Sequence, residues 1–249
     1  PAMRSGSATR WLRLVNWYLN LFHVWAISVA VFFAYIYLYD RFRISLIGGH
    51  YPEPPGGIWF FLITSAWGLG EPLVTAVHAA LVSAVLFSFE EGEGFSYVRH
   101  SFGVGRAPVY LAKIAAGLLL VSTPLAASKV FMAVVWDYRL LTRFAEFLSA
   151  SVAVYAAAAF LSLYLISFYS FWALVVGRPV YFLVGAFLEA NLMETLFGGL
   201  LMLIPISFTV FQPFGPAAAI QRYGDRFAIA LVHACAAFVL QLRGEVRWK

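Results

Sequence analysis

Between Phe147 and Val176 the chain reads "FLSASVAVYAAAAFLSLYLISFYSFWALVV", about thirty residues without one charged side chain. Crossing the hydrocarbon of a bilayer, about 30 Å, takes roughly 20 apolar residues. Lipid offers no partner to an exposed peptide group, so such a segment has to be helical. Five other stretches meet or approach the same requirement. In order, the expected spans are 17–39, 58–87 (interrupted by "GLGEP"), 108–135, 147–176, 180–208 and the short 227–242. Composition agrees: 62% of the residues are hydrophobic and 12% are charged, against about 25% charged in a soluble domain. The expected fold is an all-α integral membrane protein, one transmembrane domain over 1–249 with six transmembrane helices.

The joints differ in character. "DRFRISLIGGHYPEPPGG" is a polar loop punctuated by Pro and Gly. Asp137 to Phe147 is amphipathic and is expected on the outer surface. "GRP" at 177–179 is a tight turn, and "FQPFGPAAAIQRYGDR" holds a short possible helix. The basic N-terminal "PAMRSGSATR" has no cleavage site after the apolar run that follows, so that run reads as a span rather than a removable signal. Cys235 lies in an apolar run, with no CxxC spacing and no disulfide framework, and is expected only to pack.

Six spans put both termini on one side. That side carries Arg4, Arg10, Arg13, Arg99, Arg106, Lys113, Arg178, Arg243, Arg247 and Lys249; the other carries Arg41, Arg43, Lys129, Arg139, Arg143, Arg222 and Arg226. The excess of basic residues points to a plasma-membrane protein with both termini in the cytoplasm. The net charge of +5 follows from that bias and implies no nucleic-acid partner. Trp11, Trp17, Tyr39, Trp59 and Trp136 sit near span ends, as interfacial anchors do. Only six residues are Asn or Gln, a depletion that points to a heat-loving source.

One joint is out of keeping with the rest. "EEGEGFSYVRHSFGVGR" gathers Glu90, Glu91 and Glu93, then Phe95, Val98 and Phe102 at roughly helical spacing, then Arg106, with Lys113 seven residues on. Such a piece would lie along the membrane surface with its apolar face inward. Pro108 suits a first helical turn, and Lys113 is expected to snorkel toward the headgroups.

This arrangement resembles the type-2 permeases of ATP-binding-cassette (ABC) exporters. Between their second and third spans those permeases carry acids, a Gly-Thr step, a short apolar helix, a Pro-Val-Ser-Arg-like turn and a Lys. Here the acids are Glu90 and Glu91, and the glycine step is Gly94-Phe95, with Phe for Thr. The turn is Gly103 to Arg106, with Gly for Pro. The six-span count and "FQPFGPAAA" before the last span are similar too. The resemblance implies that segment 88–107 is a coupling helix, worked by Glu90, Glu91, Phe95, Val98, Phe102, Arg106 and Lys113. It also implies a separate ATPase subunit that carries ATP and Mg, a second permease copy or a paralogue, and export by alternating access. The chain has no GxxxxGK[ST] segment of its own. It is therefore expected to be no enzyme itself and to bind no cofactor directly.

Some polar residues fall inside the spans. Glu71 stands beside Pro72 in the second; it is either an acid at a gating bend or a residue near the outer interface. A carboxylate at mid-membrane costs about 2.5–3.5 kcal/mol. Glu189, Asn191 and Glu194 lie in the fifth. They are candidates for the translocation path, or the acids are satisfied by an internal hydrogen bond to a hydroxyl or to Asn191. His23, His78 and His233 raise a rival reading, the haem- or quinone-linked anchor subunit of a respiratory oxidoreductase, in which facing histidines would ligate a haem. Their spacing does not favour it. A stand-alone channel would need a filter segment or a ring of charge, and neither stands out. No GxSxG, HExxH or paired catalytic acids appear, and no metal site is expected.

Overall fold

The computed structural model describes residues 7–48, 70–89, 105–136, 138–176 and 216–243. Every described element is helical: α1 (Ser7–Leu19), α2 (Phe22–Gly48), α3 (Gly70–Ser83) continued by a π-helical turn (Ala84–Phe89), α4 (Arg106–Trp136), a 3-10 helix (Tyr138–Arg143), α5 (Phe144–Val176) and α6 (Pro216–Arg243). There is no strand among the described residues. Three stretches are long and apolar enough to cross a membrane: His23–Arg41, Arg106–Trp136 and Leu141–Val175. Val74–Phe87 and Ala230–Leu242 are shorter apolar helices. The expected fifth span, 180–208, lies outside the described residues.

The first span begins later than the hydropathy of 17–39 implies. Trp17 and Tyr18 belong to α1, whose Leu14, Val15 and Tyr18 are buried while Arg10, Arg13 and Asn16 are exposed. This two-faced helix packs its apolar side on α4. Asn20 ends it: the side-chain amide donates to the Asn16 carbonyl at 2.7 Å, and the Asn20 backbone N–H reaches the same oxygen at 3.1 Å. An Asn side chain that competes for helical carbonyls favours a break. The chain turns at Leu21 and restarts as α2 at Phe22.

Helix α4 touches all five other described α-helices. Lipid tails are as apolar as Leu, so helices in a bilayer associate through close packing rather than through burial from water. Small residues permit it here: Ala112, Ala116, Ala126 and Ala133 of α4 are fully buried. At Gly117 the approach to α5 is closest, since a Cβ there would lie 3.3 Å from two Ile166 side-chain carbons.

Contacts along α4 fix the direction of its neighbours. Gly117 faces Ile166 of α5, and a short 3-10 link joins the two helices, so α5 is antiparallel to α4. Arg106 meets Leu242 and Tyr110 meets Ala234, so α6 is antiparallel to α4 as well. Phe87 stacks near Tyr110, while His78 is joined through Ser28 to Leu120, so α3 is antiparallel too. Ser28 with Leu120 and Phe32 with Phe131 make α2 parallel to α4. Thus α2 and α4 run one way, and α3, α5 and α6 run the other.

The link between α4 and α5 presents Tyr138, Leu141 and Phe144 outward, in keeping with the expected amphipathic surface stretch. Its Arg143–Glu146 pair, 3.9 Å apart and exposed, adds little to stability.

The Gly117–Ile166 contact yields a direct test. Gly117→Leu should destabilise the purified protein by about 1–3 kcal/mol, the usual cost of overpacking. Gly117→Leu with Ile166→Ala should recover much of that loss. Thermal unfolding in detergent reads both.

Candidate functional site

Helix α4 contains Pro124. Proline has no N–H, so the carbonyl four residues earlier, that of Leu120, loses its helical donor. Leu120 lies near the middle of the 31-residue helix, where no water of a bilayer surface reaches it. Ser28 of α2 supplies a replacement: its Oγ donates to the Leu120 oxygen over 3.5 Å. At that length the bond is weak, and it directs the hydroxyl proton toward Leu120. The same Oγ lies 3.3 Å from Nε2 of His78 on α3. One hydroxyl therefore joins three helices at mid-depth.

A second pair extends this seam. Tyr35 OH and Thr75 Oγ1 are 2.6 Å apart, both fully buried. On α2, Ser28 and Tyr35 are seven residues apart; on α3, Thr75 and His78 are three apart. Those spacings place each pair on one helix face. Tyr39, one turn beyond Tyr35, stacks on its ring at 6.1 Å. The α2–α3 interface is thus a buried polar strip running from mid-depth toward the C-terminal end of α2. Elsewhere serines satisfy themselves locally: Ser162 donates to Ala158 O, and Ser170 to Ser167 O.

The end of the bundle where α4 begins carries a different cluster. Lys113 is not directed to the headgroups, as its distance from the helix start implied. It is 1% exposed, and its ammonium sits 5.2 Å from the Phe87 ring centre. Helical register explains this: Lys113 shares a stripe with Tyr110, Gly117 and Leu120, which faces the other helices, whereas Leu111 and Leu119 face outward. A cation over an aromatic face gains about 0.5–2 kcal/mol, which offsets part of the cost of burial. Phe87 belongs to the π-helical turn, a rare geometry frequent at functional sites. Arg106 Nη1 donates to the Leu242 carbonyl at 2.7 Å. The last carbonyls of a helix lack partners, and a cation suits that end of the dipole. Arg106 therefore ties the start of α4 to the end of α6.

The expected site residues are distributed as follows. Arg106 and Lys113 both lie at this end of the bundle, with separate partners. Glu71 lies in the first turn of α3, one turn before Thr75, and its side chain falls outside the described residues. Glu90, Glu91, Phe95, Val98, Phe102, Glu189, Asn191 and Glu194 also fall outside them. Lys129, counted with the outer loops, is instead buried within α4. Sequence reasoning missed Ser28, Tyr35, Thr75 and the Leu120 carbonyl. The available signal was Pro124, which in any span marks the carbonyl four residues earlier.

Among the described residues, His23, His78 and His233 do not face one another. His78 lies at the level of Leu120. His233 packs between Phe168 and Phe171, at 5.0 and 5.2 Å, beside Ala234, which meets Tyr110. Ten residues of α4 separate those levels, about 15 Å. His23 is exposed at the start of α2. Among the described residues no group of three metal-ligating side chains occurs. No family model, curated protein or solved structure matches this chain.

The Pro124–Leu120–Ser28 arrangement makes a double-mutant prediction. Ser28→Ala should cost about 0.6–1.7 kcal/mol, the range of intramembrane hydrogen bonds. In a Pro124→Ala background, where Leu120 regains its helical donor, the same change should cost less than half as much. Denaturant titration in mixed micelles measures the difference.

Proposed function

We propose that the chain is the membrane-spanning permease subunit of an ABC exporter, driven by a separate ATPase subunit. The observation that carries the reading is the charged joint after the π-helical turn of α3, whose acids, glycines, apolar positions and Arg106 follow the order of a coupling helix. The described ends of that joint support it. Phe87 sits under Lys113 on one side, and Arg106 holds the end of α6 on the other.

Helix directions support the six-span count. α5 and α6 are parallel, as the proposed span 180–208 between them requires. With α2, α3, α4, α5 and α6 that makes six crossings. The starts of α2 and α4 and the ends of α3 and α6 lie on one face. The basic excess assigns this face to the cytoplasm of a plasma-membrane protein. Glu90, Glu91, Phe95, Val98 and Phe102 dock the ATPase, and Arg106 and Lys113 anchor the joint. Glu71, Glu189, Asn191 and Glu194 border the path. The working unit holds two such subunits, the second a copy or a paralogue, with ATP and Mg on the ATPases.

Two measurements test this reading. With Cys235 replaced by Ser, single cysteines at Arg178 and Gln212 should label with a membrane-impermeant maleimide from opposite faces; labelling from one face removes the sixth crossing. Phe102→Asp should abolish co-purification of the cognate ATPase while the permease remains folded. Undiminished ATPase binding and transport would sink the coupling role.

A further inference from the structure

The seam between α2 and α3 contains an atom that the structure leaves without a use. Ser28 Oγ donates its one proton to the Leu120 carbonyl. Its oxygen must then accept from His78, so Nε2 bears the ring proton and Nδ1 holds the lone pair. That Nδ1 is buried, and no donor among the described residues reaches it. His78 as a whole has no exposed surface. A buried acceptor left unsatisfied is expensive, and in a native structure such a group calls for an explanation.

We propose that Nδ1 of His78 is a ligand-binding point at mid-depth in the bundle, accepting a hydrogen bond from a hydroxyl or N–H group on a small apolar molecule. The tautomer makes the nitrogen an acceptor only. Its setting selects a neutral donor over a cation. On α4, Lys113 and Lys129 stand seven and nine residues from Leu120, about 10 and 14 Å along the helix, and their charge opposes a second positive charge between them. On α2 and α3 the other polar side chains of the seam, Tyr35 and Thr75, are already paired with each other at 2.6 Å, so they do not compete for the nitrogen. Val24, one turn before Ser28, and Ala79 and Val121, the chain neighbours of His78 and Leu120, are buried and apolar, in keeping with a ligand whose remaining body is apolar. The site does not depend on the permease reading; under that reading the ligand is cargo.

The test uses the full chain, labelled with 15N-histidine, in lipid nanodiscs without any ATPase, so its outcome is independent of transport. The probes are 1-hexanol and its isomer methyl pentyl ether, which share size and apolar character but differ in the donor. His78→Phe assigns the resonances. Should that variant not fold, replacing His23, His50, His100 and His233 assigns them instead. The expected result is a protonated Nε2 and a lone-pair Nδ1 whose resonance moves to the hydrogen-bonded range with the alcohol and stays with the ether. Ser28→Ala should yield a mixture of tautomers and a smaller response. A proton on Nδ1 in the unmodified chain overturns the proposal. So does an equal response to both probes, which reports partitioning only. So does no response to either, which means water or the backbone already satisfies the nitrogen.

Discussion

The missing N–H of Pro124 shapes the interior of this bundle. In water a freed carbonyl is solvated at little cost. In the middle of a helix that touches all the other described helices, the freed Leu120 oxygen has no water to turn to, and its partner must come from a neighbouring helix. Ser28 supplies that partner, and Ser28 then has an oxygen lone pair to offer His78. A backbone irregularity in α4 thus dictates polar residues on α2 and α3 at one level. The hydroxyl at position 28 looks like an ordinary small residue of a span until Pro124 is considered with it.

Close packing supplies the rest of the cohesion. Membrane helices gain no hydrophobic drive against one another, so backbone approach matters more than side-chain volume. The alanines of α4 and Gly117 let α5 come within contact of the α4 backbone, and Ile166 fills the space a side chain would have taken. Both lysines of α4 also face inward. Their burial follows from register rather than depth: a seven-residue distance from the helix end leaves a long side chain able to reach the surface, but the face on which its Cβ lies decides where it goes.

Much of the fold was legible in the sequence. The spans at 108–135 and 147–176 match α4 and α5 closely, because uninterrupted apolar runs of that length admit one structure in lipid. The start of the first span was misplaced, because hydropathy averages over Asn16 and Asn20, whereas the helix break depends on where one amide hydrogen-bonds. The polar seam was not legible. Serine, threonine and tyrosine contribute little to hydropathy, and which of them meet depends on the mutual rotation of two helices. The spacing of Ser28 and Tyr35, and of Thr75 and His78, says only that each pair shares a face. It does not say that those faces meet. The tie from Arg106 to Leu242 spans 136 residues, and no local pattern announces it.

That long-range tie bears on how a coupling joint could act. A loop that only floats on a membrane surface transmits nothing, whatever docks on it. To move a bundle, its ends must be joined to helices that are not its chain neighbours. The end of this joint at Arg106 meets that condition, since the guanidinium grips the last turn of α6, a helix that enters the chain more than a hundred residues later. The other end runs through a π-helical turn, where each added residue in the ring loosens the α-helical ladder and reorients the side chains beyond it. Phe87 in that turn contacts both Lys113 and Tyr110, and Tyr110 in turn donates to Ala234 of α6. Both described ends of the joint are therefore linked, directly or through Tyr110, to α4 and α6. Under the proposed reading a push at the joint would reach the Leu120 level through α4, on which α2, α3 and α5 also pack.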